Sequence, residues 1–280
     1  MINVLFCGNK MMFDGVLTCV LSILKRTQTK EPFSFYLYTM DLTSLNPNFC
    51  AISKKSANFL DEVVKAYSPE SGVALIDVKD VYERELSGSP NEASSYSPYA
   101  MLRVLADLVD GMPDKLLYLD ADVLFNRDIR LLYEVDVEKH EYAAARDHYG
   151  KYLVSPSYIN SGVLLLNLDK IRETGLFEKA RAELRKRRLV FPDQTAIRIN
   201  TKSKRLLSQK FNDQKFLHKN TVVRHFSKRL FWLPYPHTAN IKQWQVSLVH
   251  RVFGYYEFDD ILYEYIYLKE KFKREAQKHE

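Results

Sequence analysis

The chain has 280 residues, of which 46% are hydrophobic and 27% charged, and its formal net charge is +6. This composition excludes a disordered chain and fits one large α/β domain, alone or with a C-terminal appendage. Three cysteines without paired spacing, Cys7, Cys19 and Cys50, argue against a disulfide framework or a zinc knuckle. No apolar run reaches the ~18 residues of a membrane span, and a short N-terminal apolar run without a basic leader points to a cytoplasmic protein.

Ile2–Cys7 reads as a buried first strand, broken by Gly8-Asn9-Lys10. Gly15–Lys25 follows as a helix with Val16, Val20, Leu21 and Leu24 on its inner face. Phe33–Met40 is a β-prone second strand, Ser53–Ala66 a helix capped by Ser53, and Val73–Val78 a third strand. This alternation indicates parallel βαβ units, in which ligands bind outside the carboxyl ends of the strands. Phe6–Asn9, Thr39–Asp41 and Asp77 then fall near the pocket. Lys79–Ser97, polar and containing Gly88 and Pro90, reads as a long mobile loop. Pro98–Val109 is expected to be helical, with Arg103 among apolar residues. Leu116–Asp120 is the fourth strand, Asp128–Glu134 a short helix or turn, and Tyr142–Asp147 a strand ending in an acid. Asn160-Ser161-Gly162 introduces an apolar strand, Val163–Leu168, and Asp169–Arg188 reads as a basic amphipathic helix. Pro192-Asp193-Gln194 opens another helix, with Asp193 placed to cap it.

Leu206–Phe211 and Val222–Phe226 read as strands inside a basic stretch. Nine Lys or Arg lie between Lys202 and Arg229, against Asp213 alone. Such a local excess suggests an anionic partner: phosphate, nucleic acid or an anionic membrane surface. Aromatic segments follow around Trp232, Pro234 and Trp244, then a charged helix, Asp259–Lys278, whose Phe258, Ile261, Leu262, Tyr265, Ile266 and Leu268 suit docking on the domain, a second subunit or a bilayer. No repeat or low-complexity linker appears. Residues 1–230 are therefore assigned to one catalytic domain and 231–280 to an aromatic, helical C-terminal extension.

Asp120-Ala121-Asp122 stands at the edge of a buried strand, between Leu116–Leu119 and Val123–Phe125. In extended geometry residues i and i+2 share a face, about 6.5 Å apart. Two acids this close to a core need a positive partner, and a shared divalent cation supplies one; a helix-capping turn or a solvated loop is the alternative. Further polar groups fall at strand ends or breaks: Asp147, Asn160–Gly162, Asp193-Gln194, and His225 with Lys228 and Arg229 just beyond. Polar strand ends on one side of an α/β sheet make a polar pocket.

Three runs carry a family likeness: Asp114–Val123 around the acidic pair, Ile159–Leu168 around Asn160-Ser161-Gly162, and Phe191–Ala196 around Asp193-Gln194. In this order and spacing they resemble glycosyltransferase family 8, the retaining nucleotide-sugar transferases of GT-A type. The likeness extends from Asn3 to Trp244. It implies a Rossmann-like nucleotide-binding α/β fold with a mixed central sheet, and a hexose, galactose or glucose, moved from a UDP-sugar to a glycan, lipid-linked or protein acceptor. Asp120 and Asp122 resemble the family's metal-binding pair and His225 its third ligand, a donor set that suits Mn²⁺ (or Mg²⁺). Phe6, Cys7, Gly8 and Asn9 resemble the loop contacting uracil and ribose, although the family usually has an acid at Asn9. Arg103, Ala121, Asp147, Asn160, Ser161 and Gly162 resemble donor-site residues. Arg103 also suits pairing with an acid, and Gly162 a bulge that admits close backbone approach. Asp193 and Gln194 resemble the pair beneath the anomeric carbon.

After the histidine the family has a Gly and then Lys-Pro-Trp. Here Lys228 stands at the Gly position and Phe231 at the Lys position, so Lys228 or Arg229 is expected to supply the diphosphate contact. Two other classes stay open beside the transferase: a metal-dependent phosphoryl or nucleotidyl transferase, and a nucleic-acid or membrane-surface binder using residues 202–229. The transferase reading expects no nucleic-acid partner and leaves room for a peripheral membrane contact.

Overall fold

The computed structural model describes residues 1–92, 97–231 and 235–277. Trp232 and Pro234 of the aromatic stretch, the end of the expected Lys79–Ser97 loop at 93–96, and Lys278 at the end of the last helix lie outside them. The first half contains β1 (Ile2–Cys7), α1 (Phe13–Arg26), β2 (Phe33–Thr39), α2 (Lys54–Tyr67), β3 (Gly72–Asp77) and α3 (Lys79–Glu85). A 3₁₀ helix, Pro98–Leu105, leads to β4 (Lys115–Leu119), β5 (Val123–Phe125), the short α4 (Arg130–Tyr133), β6 (Tyr142–Ala145), the short α5 (Gly150–Leu153) and β7 (Val163–Asn167). Then come α6 (Leu168–Thr174), α7 (Leu176–Lys186), α8 (Pro192–Asn200), β8 (Lys204–Leu207) and β9 (Val223–His225). A hairpin of β10 (Arg229–Phe231) and β11 (His237–Ala239), the one-turn α9 (Val246–Leu248) and α10 (Asp259–Gln277) complete the chain.

Seven strands form one sheet in the order β3-β2-β1-β4-β7-β6-β8. β3, β2, β1 and β4 are mutually parallel, as the βαβ pattern predicts. β7 alone in this sheet runs against its neighbours β4 and β6, so the sheet is mixed. The reversal decides where the chemistry falls. Leu119, the last residue of β4, pairs with Val163, the first of β7. The residues after β4 and those before β7 therefore meet at one edge.

Apolar layers cover both faces of the sheet. Val4, Phe35, Leu117 and Leu165 pack on one side with α1, α2 and α10, while Leu5, Tyr118, Leu164 and Leu166 pack on the other with the 3₁₀ helix, α7 and α8. Each fully buried Leu or Val contributes roughly 1.5–3 kcal/mol. α10 buries Ile261, Leu262 and Tyr265, with Phe258 buried just before it, and it is pinned to α1 by Lys25–Glu264 (2.6 Å), Arg26–Asp260 (2.7 Å) and Asp14–Lys269 (2.6 Å). That face docks on the domain itself, although Ile266 remains exposed.

Several expectations change. The Lys79–Ser97 stretch begins with α3, because Val78, Tyr82 and Leu86, four residues apart, form a buried stripe. The Asp169–Arg188 helix breaks into α6 and α7 at Gly175, whose φ of +67° ends the first helix. The Pro98–Val109 helix is a 3₁₀ helix that stops at Leu105. The Leu206–Phe211 strand lies earlier, at Lys204–Leu207, and Gln209–Phe211 is a 3₁₀ turn. Asp193 does not cap α8: Phe191 holds the N-cap position, and the Asp193 carboxylate is turned into the protein.

Candidate active site

Asp120 leaves β4 with its backbone N–H donating to the Gly162 carbonyl (2.8 Å). Its Oδ1 accepts from Tyr118 Oη (2.6 Å) and Arg103 Nη2 (3.0 Å). Three residues on, β5 begins and pairs antiparallel with β9, with Val123 opposite His225. This short ladder closes the sequence gap between the acidic pair and the histidine. His225 Nε2 lies 3.1 Å from Asp122 Oδ1 and 3.9 Å from Asp120 Oδ2. One ligand atom from each of Asp120, Asp122 and His225 falls within 4.8 Å of the others.

Asp122 also pairs with Lys242, whose Nζ reaches the Phe226 carbonyl as well (3.2 Å). Burial pushes the Asp122 carboxyl up, but Lys242 and His225 outweigh it and hold the group well below the usual carboxylate range. The backbone between the acids is fixed from behind. Ala121 O accepts from Gln243 Nε2 (2.7 Å), which also donates to Thr18 Oγ1 of α1 (3.0 Å). α1 comes so close that a Cβ on Gly15 would lie 2.5 Å from Ala121 O. Gly162 is equally constrained: a Cβ there would lie 2.4 Å from His225 Cε1 and 2.6 Å from Asp120 Oδ2. Two carboxylates and an imidazole, crowded to the point that only glycine fits beside them, suit a small divalent cation.

Arg103 is 3% exposed and binds four groups at once: Asp120, the Ala100 carbonyl (2.8 Å), the Ser161 carbonyl, and Asp193 Oδ2 (3.4 Å). Its guanidinium lies 4.0 Å from the Tyr118 ring centroid. Burial works against its charge, yet Asp193, Tyr118 and Asp120 raise its pKa further. The arginine thus pairs with acids rather than standing open to a ligand. Ser161 ties the next two residues in: its Oγ donates to Asp193 Oδ2 (2.8 Å), and its backbone N–H donates to Gln194 Oε1 (3.0 Å). The second bond fixes which end of the Gln194 amide is oxygen. Asp147, after β6, receives Asn160 Nδ2 (3.0 Å).

Phe6, Cys7 and Gly8 end β1 at the same sheet edge. Gly8 N–H donates to Tyr38 O (3.0 Å). Asn9 spends its side chain on the fold, accepting from Met11 N–H (3.1 Å) and donating to Asn48 O (3.2 Å). Lys228 is exposed, and the Arg229 guanidinium stacks on Phe231 (4.9 Å) and Phe216 (5.0 Å). Of the basic stretch, Arg224 is buried and Lys204 and Arg205 lie on the edge strand β8, where charge blocks edge pairing. Lys242, Gln243 and Asn212 lie outside the motif runs. Only Lys242-Gln243-Trp244 carried a signal: it repeats the Lys-x-Trp pattern beyond the β10–β11 hairpin.

The mixed α/β sheet with an acidic pair at its edge is shared with known proteins, glycosyltransferases of GT-A fold. The glycosyl transferase family 8 model matches residues 3–228, so the chain belongs to that family. A glycosyltransferase of Haemophilus influenzae is 26% identical over 190 residues, covering 64% of this chain and 52% of its own. Glycosyltransferase GlyA of Streptococcus pneumoniae is 25% identical over 164 residues, covering 59% of this chain and 20% of its own. The chain thus spans about half or less of these relatives. Among solved structures, the apo form of the bifunctional WbbM glycosyltransferase superposes with a TM-score of 0.73 at 14% identity, covering 98% of this chain and 51% of that one. Galactosyltransferase LgtC, in complex with donor and acceptor sugar analogues, gives 0.66 at 17% identity, covering 94% and 96%. At these identities the likeness establishes the fold. Family membership supports glycosyl transfer among the activity classes open to the sequence, and among the described residues no helix is long and apolar enough to cross a membrane.

Proposed function

We propose that this protein is a retaining hexosyltransferase that moves galactose or glucose from a UDP-sugar to a glycan, lipid-linked or protein acceptor. Asp120, Asp122 and His225 hold Mn²⁺ or Mg²⁺. The observation that carries this reading is the convergence of two carboxylates and one imidazole within 4.8 Å, in a chain that belongs to a glycosyltransferase family. A cation held there would supply Lewis-acid stabilisation of the departing diphosphate.

The chain's own groups do the rest. Lys242 joins Lys228 and Arg229 as a cation for the leaving diphosphate: its ammonium lies beside the proposed metal ligand Asp122, while Arg229 is stacked on aromatic rings. Asp193 and Gln194 lie beneath the anomeric carbon in this reading. An oxocarbenium-like transition state needs negative character on that face, and the Gln194 carbonyl dipole, oriented by Ser161, supplies it. Arg103 holds Asp120 and Asp193 in register. Phe6 to Asn9 face the nucleoside, and Asp147 and Asn160 the donor hexose.

Incubating a panel of UDP-sugars with the protein and Mn²⁺, and following UDP release, tests the reading. The expected result is release from one hexose donor, lost with chelator and in Asp122→Asn. Turnover that survives both overturns it.

A further inference from the structure

The third metal ligand is held from behind by a buried amide that no sequence motif marks. Asn212 follows the Gln209–Phe211 turn and is fully buried. Its Oδ1 lies 3.0 Å from His225 Nδ1, and its Nδ2 donates to Asn160 Oδ1 (2.9 Å). Asn160 Nδ2 in turn donates to Asp147 Oδ2 (3.0 Å). One line of hydrogen bonds therefore runs Asp147–Asn160–Asn212–His225.

The direction of this line is fixed by groups that cannot reverse. Gly162 N–H can only donate, and it points at Asn160 Oδ1 (3.1 Å). The Asp147 carboxylate accepts, taking Tyr149 N–H (3.1 Å) and Gly150 N–H (2.6 Å) on Oδ1 and the Asn160 amide on Oδ2. Asn160 must then show oxygen to Asn212, so Asn212 must show nitrogen to Asn160 and oxygen to His225. His225 Nδ1 consequently carries a proton, and Nε2, 3.1 Å from Asp122 Oδ1, is the ring nitrogen turned toward Asp120 and Asp122 and the one a metal would take in place of a proton. Only a nitrogen lone pair can ligate a metal, and the partner of the other ring nitrogen selects which one is free.

We propose that Asn212 is a positioning residue that sets the metal-ligating tautomer of His225, and that it does so through polarity relayed from Asp147 and Gly162. The inference rests on the metal reading of the Asp120–Asp122–His225 cluster. It also makes the metal ligand and the proposed donor-sugar residues Asp147 and Asn160 members of one hydrogen-bond line.

Two measurements test it. The first is Mn²⁺ affinity, read from the free-ion electron paramagnetic resonance signal in the presence of UDP. Losing such a partner typically costs about 10–100-fold in metal affinity, and that loss is expected for Asn212→Ala. Asn212→Asp still accepts from Nδ1 and is expected to keep more affinity than Asn212→Leu, which fills similar volume without accepting. Equal affinities for the Asp and Leu variants, or Ala equal to wild type, overturn the inference alone. Wild type that takes up no Mn²⁺ overturns the metal reading and the inference together.

The second measurement needs no Asn212 variant. In histidine-labelled wild type with Mg²⁺ and UDP, ¹⁵N spectra are expected to show His225, identified by the signal lost in His225→Gln, protonated at Nδ1. Protonation at Nε2 overturns the assignment.

Discussion

At Gly162 the site leaves no room for a methyl group. Its hypothetical Cβ would meet two proposed metal ligands, His225 and Asp120, at less than 3 Å. Gly162→Ala is therefore expected to spread the cluster and weaken Mn²⁺ binding at least tenfold by calorimetry, while overpacking costs about 1–3 kcal/mol of stability. Lys242 makes a second residue-scale prediction. Lys242→Ala should weaken UDP binding more than Lys228→Ala or Arg229→Ala, and isothermal titration of the three variants checks the order. Asp213 gives a pH prediction. Burial pushes its carboxyl up, but bonds from His218 (2.5 Å), Thr221 (2.8 Å) and Gln209 (3.2 Å) hold it below its ordinary value. A depressed folded pKa means stabilisation present above the unfolded value, about 3.9, and lost as pH falls through the folded one. Between pH 5 and pH 3, urea midpoints should therefore drop more for wild type than for Asp213→Asn.

The motif residues were legible at this scale because metal and sugar chemistry restricts residue type. Asp120, Asp122 and His225 stood out as polar groups in apolar runs, and the structure brings them together. Asn212 and Gln243 were not legible. Each bridges two residues from other parts of the chain, Asn212 joining His225 to Asn160 and Gln243 joining Ala121 to Thr18, and a lone amide carries no periodic or spacing signal. The internal bonds of Asn9 were likewise not legible: backbone groups of Met11 and of Asn48, 39 residues away, take both ends of its amide.

Among the elements, α1 organises more than its own strand. It buries an apolar face against the sheet, approaches Ala121 through Gly15, and accepts Phe125 N–H on Ser22 Oγ (2.9 Å), which anchors β5. α10 packs on its outer side. Leu262→Ala should cost about 2–5 kcal/mol by leaving a cavity at that seam. Glu264→Gln, which loosens a partly exposed ion pair with Lys25, should cost no more than about 1 kcal/mol; urea denaturation compares the two. β1, α1, β2, α2 and β3 were readable from periodicity and β-propensity, whereas α3 was not. The α6–α7 break was not, since Gly175 sits in a pattern that remains amphipathic on both sides of it. The one-sided stripe Val78, Tyr82, Leu86 was present in the sequence, but the Gly, Pro and Ser that follow it favoured a loop.

For the molecule as a whole, ligand linkage is the cheapest check. UDP with Mn²⁺ at one hundred times Kd should add about 2.7 kcal/mol of stability and raise the melting temperature; no shift at that saturation counts against the site. The first strands, the helices between them and the acidic pair at a strand end follow from the sequence alone. Hydrophobic periodicity and the cost of burying charge act locally, within a few residues of the chain. Which acids meet which histidine does not act locally. It depends on β7 entering the sheet in reverse, on a three-residue ladder between β5 and β9, and on a hairpin that delays Lys242 until after residue 239. Those are long-range pairings, decided by how whole faces pack. The acidic pair was therefore visible in the sequence, while the pairing of Lys242 with it and the asparagine behind its histidine emerged only in the folded chain.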